Sequence, residues 1–149
     1  MNREPSAMMH QVEELVSRAM DVQVNAYAPY TKFMVGAAVL TKTGNIYIGC
    51  NVQGVDNDDT HAEEAALCAM VAAGERHPIL VVAVGALEGC APTIIPPCGK
   101  CRQKLMEWSS LNKYDIEIML ATGIVQLSDL LPHSFGPADI GIDLAEHST

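Results

Sequence analysis

The sequence predicts an α/β fold, a three-layer α/β/α sandwich around one mixed five-stranded sheet. Three observations predict it. Two apolar runs joined by Lys42-Thr43-Gly44-Asn45 read as a β-hairpin. Ile79 to Leu87 is apolar at nearly every position, so it reads as a strand covered on both faces. Helix and strand patterns then alternate through the second half, which implies parallel pairing with right-handed crossovers.

The elements follow in order. Met8, Met9, Val12, Leu15, Val16, Ala19 and Met20 mark one face of a helix beginning near Ser6. The loop NAYAPYTK leads to strands at Phe33 to Thr41 and Ile46 to Val52. The polar loop GVDNDDT precedes a helix from about His61 to Ala73, which Gly74 stops. After the Ile79 to Leu87 strand, the loop EGCAPTIIPP leads to a short helix reaching about Ser110. Asp115 to Ala121 reads as a fourth strand and Ile124 to Leu127 as a short fifth. Ser128 starts a turn of helix, and the tail after Phe135 reads as extended.

With 149 residues, residues 1–149 are expected to form a single domain with a sizeable core. The hydrophobic fraction of 49% and charged fraction of 18% are those of an ordinary soluble chain. No apolar run is long enough to span a membrane. The N-terminus MNREPSAMM lacks a basic region followed by an apolar stretch, so a cytoplasmic location is expected. A net charge of −9 argues against polymeric nucleic acid and favours a small neutral or cationic substrate. Five cysteines without an export signal argue against a disulfide framework. Cys50 and Cys68 read as small core residues, and Cys90 has no assigned role.

The chemistry lies in two segments. THAEEAALCAM begins a buried helix with an imidazole and a carboxylate. Thr60 and Glu63 have the spacing of a capping box, which alone would explain the polar residues. PPCGKCRQ places Cys98 and Cys101 at a helix start, where the free amides favour thiolate. A CxxC pair is either a redox dithiol or a metal clip. With His61 as third donor the count is that of catalytic zinc, which leaves its last position to water, and not of a four-donor structural site. Both segments begin helices that follow strands, so both fall at one edge of the sheet, where ligand sites collect. Glu63 would then lie beside the metal.

The H-x-E and P-C-x-x-C pair is the signature of zinc-dependent base deaminases. More specifically, AYAPYTKFMVGAAVL, GNIYIGCNV, HAE, PPCGKCRQKL and LLPHSFGP resemble, in order, the segments of nucleoside-type cytidine deaminases of the small homotetrameric kind. The resemblance runs from about Ala26 to Pro137. It implies one zinc ion per subunit on His61, Cys98 and Cys101, and Glu63 as the catalytic proton carrier. It implies that Ala62 and Pro96 meet the base through their backbones, that Phe33 packs on it, and that Asn51 and Gln53 face the sugar. Phe135 would reach a neighbouring subunit's site. The implied activity is hydrolytic deamination of cytidine, deoxycytidine or a modified cytosine nucleoside, with ammonia released, as in pyrimidine salvage. The runner-up is a deaminase of a cytosine-nucleoside antibiotic such as blasticidin S; a free-base deaminase and a non-catalytic zinc module are weaker readings.

Three departures stand out. The small tetrameric members usually carry Cys and Arg where this chain has His61 and Glu64. Three thiolates leave a zinc site at −1, which an arginine offsets; one histidine and two thiolates leave it neutral. Gln53 replaces a glutamate that grips the sugar, which removes a charge-assisted bond. GVDNDDT replaces an Asn-Ala-Ser-Tyr-Gly segment and is about one residue shorter. The last two departures fall on the sugar side of the pocket.

Overall fold

The computed structural model describes residues 5–147, which begin with helix α1, Pro5–Gln23. Strands β1, Phe33–Thr41, and β2, Ile46–Cys50, form the expected hairpin, with Ala38 opposite Ile48. Helix α2, Ala62–Ala72, follows, then β3, Pro78–Leu87, and β4, Thr93–Ile95. Helix α3 is Gly99–Asn112, β5 Glu117–Leu120, β6 Gly123–Gln126 and α4 Leu127–Leu130. The sheet has six strands, in the order β2-β1-β3-β5-β6, with β4 on β3. Among the strands of the described residues only β3 and β5 pair in parallel; the other strand pairings are antiparallel.

The sixth strand corrects the five-strand expectation. Thr93–Ile95 pairs with Gly85 to Ala83 of β3, where the loop EGCAPTIIPP was expected. β5 pairs with Leu80 to Val82, so β4 takes over the same edge where β5 stops. The chain leaves that junction directly into Pro96 and the CxxC turn. The tail after Phe135 is also not extended. It forms two 3-10 turns, Pro137–Ile140 and Leu144–His147, the first fastened by the Gly136 N–H donating to Asp139 Oδ2 at 2.7 Å.

Period-two alternation separates the layers. Ala38 and Leu40 of β1 and Leu80, Val82 and Val84 of β3 pack with Leu15 and Ala19 of α1. The intervening Val39 and Val81 face the other way, onto Ala66, Leu67 and Met70 of α2 and Leu105 of α3. β3 is therefore buried on both faces, as its composition requires. Cys68 does not join this core: it is exposed on α2, and Cys50 is half-buried.

Helix α2 sits directly on β2 because Gly49 has no side chain. A Cβ there would lie 2.4 Å from Ala66 N and 2.6 Å from Ala62 O. The far end of α2 is closed by a Schellman motif, Gly74 N–H to Val71 O and Glu75 N–H to Met70 O, with Gly74 at φ 87°. Glu75 then ties this end to the hairpin turn, accepting from Thr43 Oγ1 at 2.9 Å, Asn45 Nδ2 at 2.5 Å and Tyr47 OH at 2.9 Å. Burial raises the Glu75 pKa, but the bonds from Asn45, Thr41, Thr43 and Tyr47 outweigh it and hold the group at about 2. A depressed folded pKa stabilises the fold above the unfolded value, 4.5, and that contribution is lost as pH falls toward about 2. The melting-temperature gap between wild type and Glu75→Gln should therefore be constant above pH 4.5 and close below it. A gap independent of pH in a thermal-melt series would contradict this account.

Candidate metal centre and substrate cleft

His61 and Cys98 occupy equivalent positions: each is the N-cap of its helix, with extended backbone and no side-chain cap bond. The Thr60–Glu63 capping box expected from sequence does not form. Thr60 is instead paired with Val52, each N–H donating to the other's carbonyl at 2.9 Å. The helix therefore starts one residue later, and both polar side chains are free of capping duty.

Those freed groups converge. His61 Nδ1 lies 3.3 Å from Cys98 Sγ and 3.4 Å from Cys101 Sγ. Bonds of about 2.3 Å to sulfur and about 2.0 Å to nitrogen at a tetrahedral zinc put the two donors about 3.5 Å apart. The spacing is thus that of ligands around one ion, and the donor atoms of His61, Cys98 and Cys101 all lie within 4.8 Å of one another. Glu63, only 5% exposed, places Oε2 3.4 Å from Cys101 Sγ. Burial, then the Glu63 carboxylate and the Cys98 sulfur, push the Cys101 thiol far above its ordinary value. A dication among these donors removes that conflict, because it neutralises two thiolates. The residues present fit zinc.

Basic side chains fasten the two helix starts. Lys104 Nζ meets Glu64 Oε1 at 2.9 Å, and Lys100 Nζ lies 3.9 Å from Glu64 Oε2. The Lys104 bond holds the Glu64 pKa below its usual range. Glu64, standing where an arginine was noted as usual, thus pairs with the lysines of α3. Lys100 also donates to Asp59 O at 3.3 Å. Arg102 pins the prolyl turn, donating from Nε to Pro97 O at 2.8 Å and from Nη1 to Leu130 O at 2.9 Å.

A cleft of about 330 Å³ opens over the cage. Its metal end is lined by His61, Ala62, Glu63, Pro96 and Cys98, and its outer part by Phe33, Asn51 and Gln53. Phe33 is 38% exposed, so it is not plain core; its ring lies against Gly85, where a Cβ would meet it at 2.8 Å. Asn51 holds this wall, its Oδ1 accepting from Val35 N–H at 2.8 Å and its Nδ2 donating to Phe33 O at 3.0 Å. Gln53 is buried, with Oε1 accepting from Tyr30 and Thr31 N–H and Nε2 donating to Thr31 Oγ1 at 2.8 Å. Phe135 does not line this cleft. It is 60% exposed beside a separate depression with Gln103, Glu107 and Pro137.

Sequence reasoning missed Thr31, Val35, Ile95 and Asp59, which also line the cleft. Ile95 depended on the unforeseen β4. Asp59 stands two residues before His61, and its placement follows from the Val52–Thr60 pairing.

An α/β/α sandwich holding a zinc-suited cage against a buried carboxylate defines a zinc-dependent hydrolase. Residues 9–114 match the family model of the cytidine and deoxycytidylate deaminase zinc-binding region, and the chain belongs to that family. It is 33% identical over 132 residues to a cytidine deaminase of Sporosarcina psychrophila, covering 87% of this chain and 94% of that one. It is 34% identical over 129 residues to a cytidine deaminase of Mycobacterium tuberculosis, covering 85% of this chain and 90% of the relative. The crystal structure of cytidine deaminase from Mycobacterium tuberculosis superposes with a TM-score of 0.74 at 33% identity, covering 84% of this chain and 97% of that one. That of the Burkholderia pseudomallei enzyme does so with a TM-score of 0.70 at 35% identity, covering 83% and 98%.

Proposed function

We propose that this protein hydrolyses the exocyclic amine of cytidine or deoxycytidine, consuming water and yielding the uracil nucleoside and ammonia. The observation that carries the reading is the Glu63 carboxylate 3.4 Å from one sulfur of the His61, Cys98 and Cys101 cage. His61 Nδ1 and the two sulfurs would hold zinc, which when bound supplies a Lewis acid able to lower the pKa of a coordinated water to ~7. Glu63 accepts a proton from the attacking water, passes it to the ring nitrogen and then serves the departing amine. A carboxylate suits this because it must act as base and acid in one turnover. The Ala62 N–H donates to the ring carbonyl, the Pro96 carbonyl accepts from the amine, and Phe33 packs on the ring. Phe135, exposed and outside its own cleft, suits a role in a neighbouring subunit's site within a homotetramer. The charge of −9 supports a small-molecule substrate in place of a nucleic acid polymer. No helix among the described residues is long and apolar enough to cross a membrane. A cytoplasmic location is part of the same reading.

The test is ammonia release from cytidine, deoxycytidine, cytosine, adenosine, guanine and blasticidin S. Turnover of the first two well above the others supports the reading. Turnover confined to a free base or to the antibiotic overturns it.

A further inference from the structure

We infer that Asp59 is a substrate-specificity residue, the acceptor for a sugar hydroxyl; the assignment rests on the nucleoside reading above. The Val52–Thr60 bridge sets the geometry. Alternation along paired segments turns the residues flanking the bridge to the opposite face, so Asn51 is set against His61 and Gln53 against Asp59. All four line the cleft. The metal cage thus continues outward, on one face, into a second pair of polar side chains.

That pair differs in what it has left to offer. Gln53 Oε1 already accepts two N–H groups, from Tyr30 at 3.1 Å and Thr31 at 3.2 Å, which fills both lone pairs of an amide oxygen. Asn51 is committed at both ends of its amide to β1. Asp59 carries a full carboxylate, half-buried, whose Oδ1 accepts from the Gly54 N–H at 3.3 Å, a long bond. Lys100 takes the Asp59 backbone carbonyl and lies 4.0 Å from Asp58 Oδ1, which fixes the segment where Asp59 lines the cleft. A hydroxyl donating to this carboxylate makes a charge-assisted bond of the kind that the glutamine at position 53 no longer supplies. The charge also has a second consequence. Asp59 and Glu63 both line the cleft, so a 5′-phosphate would face two carboxylates.

The experiment compares wild type and Asp59→Asn on cytidine, its 2′-, 3′- and 5′-deoxy analogues, and cytidine 5′-monophosphate. Asparagine keeps the shape and the oxygen that accepts from Gly54. The expected result is a KM for cytidine raised about tenfold, kcat within about twofold, and a narrower preference over the monophosphate. One deoxy analogue should carry a KM penalty in wild type that disappears in the variant. Unchanged KM for cytidine, or deoxy penalties identical in both proteins, would overturn the Asp59 assignment while leaving the deaminase reading in place. Wild type inactive on every one of these substrates would overturn both. If the variant melts early or loses zinc, the wild-type series still decides: no penalty for any missing hydroxyl overturns the proposal.

Discussion

Glu63→Gln should lose deamination by about 10²–10⁴-fold while zinc content and melting temperature stay near wild type. The side chain is 5% exposed and touches the cage through Cys101 Sγ, yet it is not one of the three clustered donors. Glutamine fills the same space and accepts the same weak sulfur contact. It cannot take a proton at neutral pH, so the loss falls on kcat. A structural role predicts the reverse: impaired folding with per-molecule activity intact. Steady-state ammonia release, normalised to zinc content, separates the two. Activity within about tenfold of wild type would end the proton-carrier assignment.

Cys101→Ala carries the second large effect. Cys101 is 1% exposed at the first turn of α3, so its loss removes a donor that no surface residue can replace. Zinc affinity should fall by more than the about 10–100-fold that losing a mere partner of a ligand costs. Because metal binding is coupled to folding, the variant should melt where chelator-treated wild type melts. Cys68→Ala, on the exposed face of α2, is the matched control and should keep zinc and activity. A Cys101→Ala protein with one zinc per chain would show that another donor set holds the metal.

How much of this was legible in sequence depended on how local each signal was. β1 is Phe33–Thr41, as its apolar run predicts, and Gly74 ends α2 as expected, because a positive φ is a property of one residue. β4 was not legible: three residues between prolines have no periodicity, and their pairing exists only because β5 leaves the outer half of β3 open. The Thr60–Glu63 spacing offered a capping box, but a strand-like bridge to Val52 took Thr60 first. Cys68 sits among alanines and suggested core, yet the helix turns it outward, a choice fixed by where Gly49 lets α2 dock. The convergence of His61, Cys98, Cys101 and Glu63 was readable because the donor chemistry of a metal cage dictates residue type and spacing. The wall formed by Asn51, Gln53 and Asp59 was not, since Asn51 and Gln53 act on the backbone of β1 and its preceding loop, and Asp59 reaches the cleft through a register that only pairing reveals.

The central claim is a zinc ion held by two sulfurs and one imidazole beside Glu63. Zinc-edge X-ray absorption on the purified protein, with elemental analysis, tests it most directly. The account predicts one zinc per chain with two sulfur neighbours near ~2.3 Å and two nitrogen or oxygen neighbours near ~2.0 Å. Four sulfur neighbours, or clean protein without a transition metal, would contradict it.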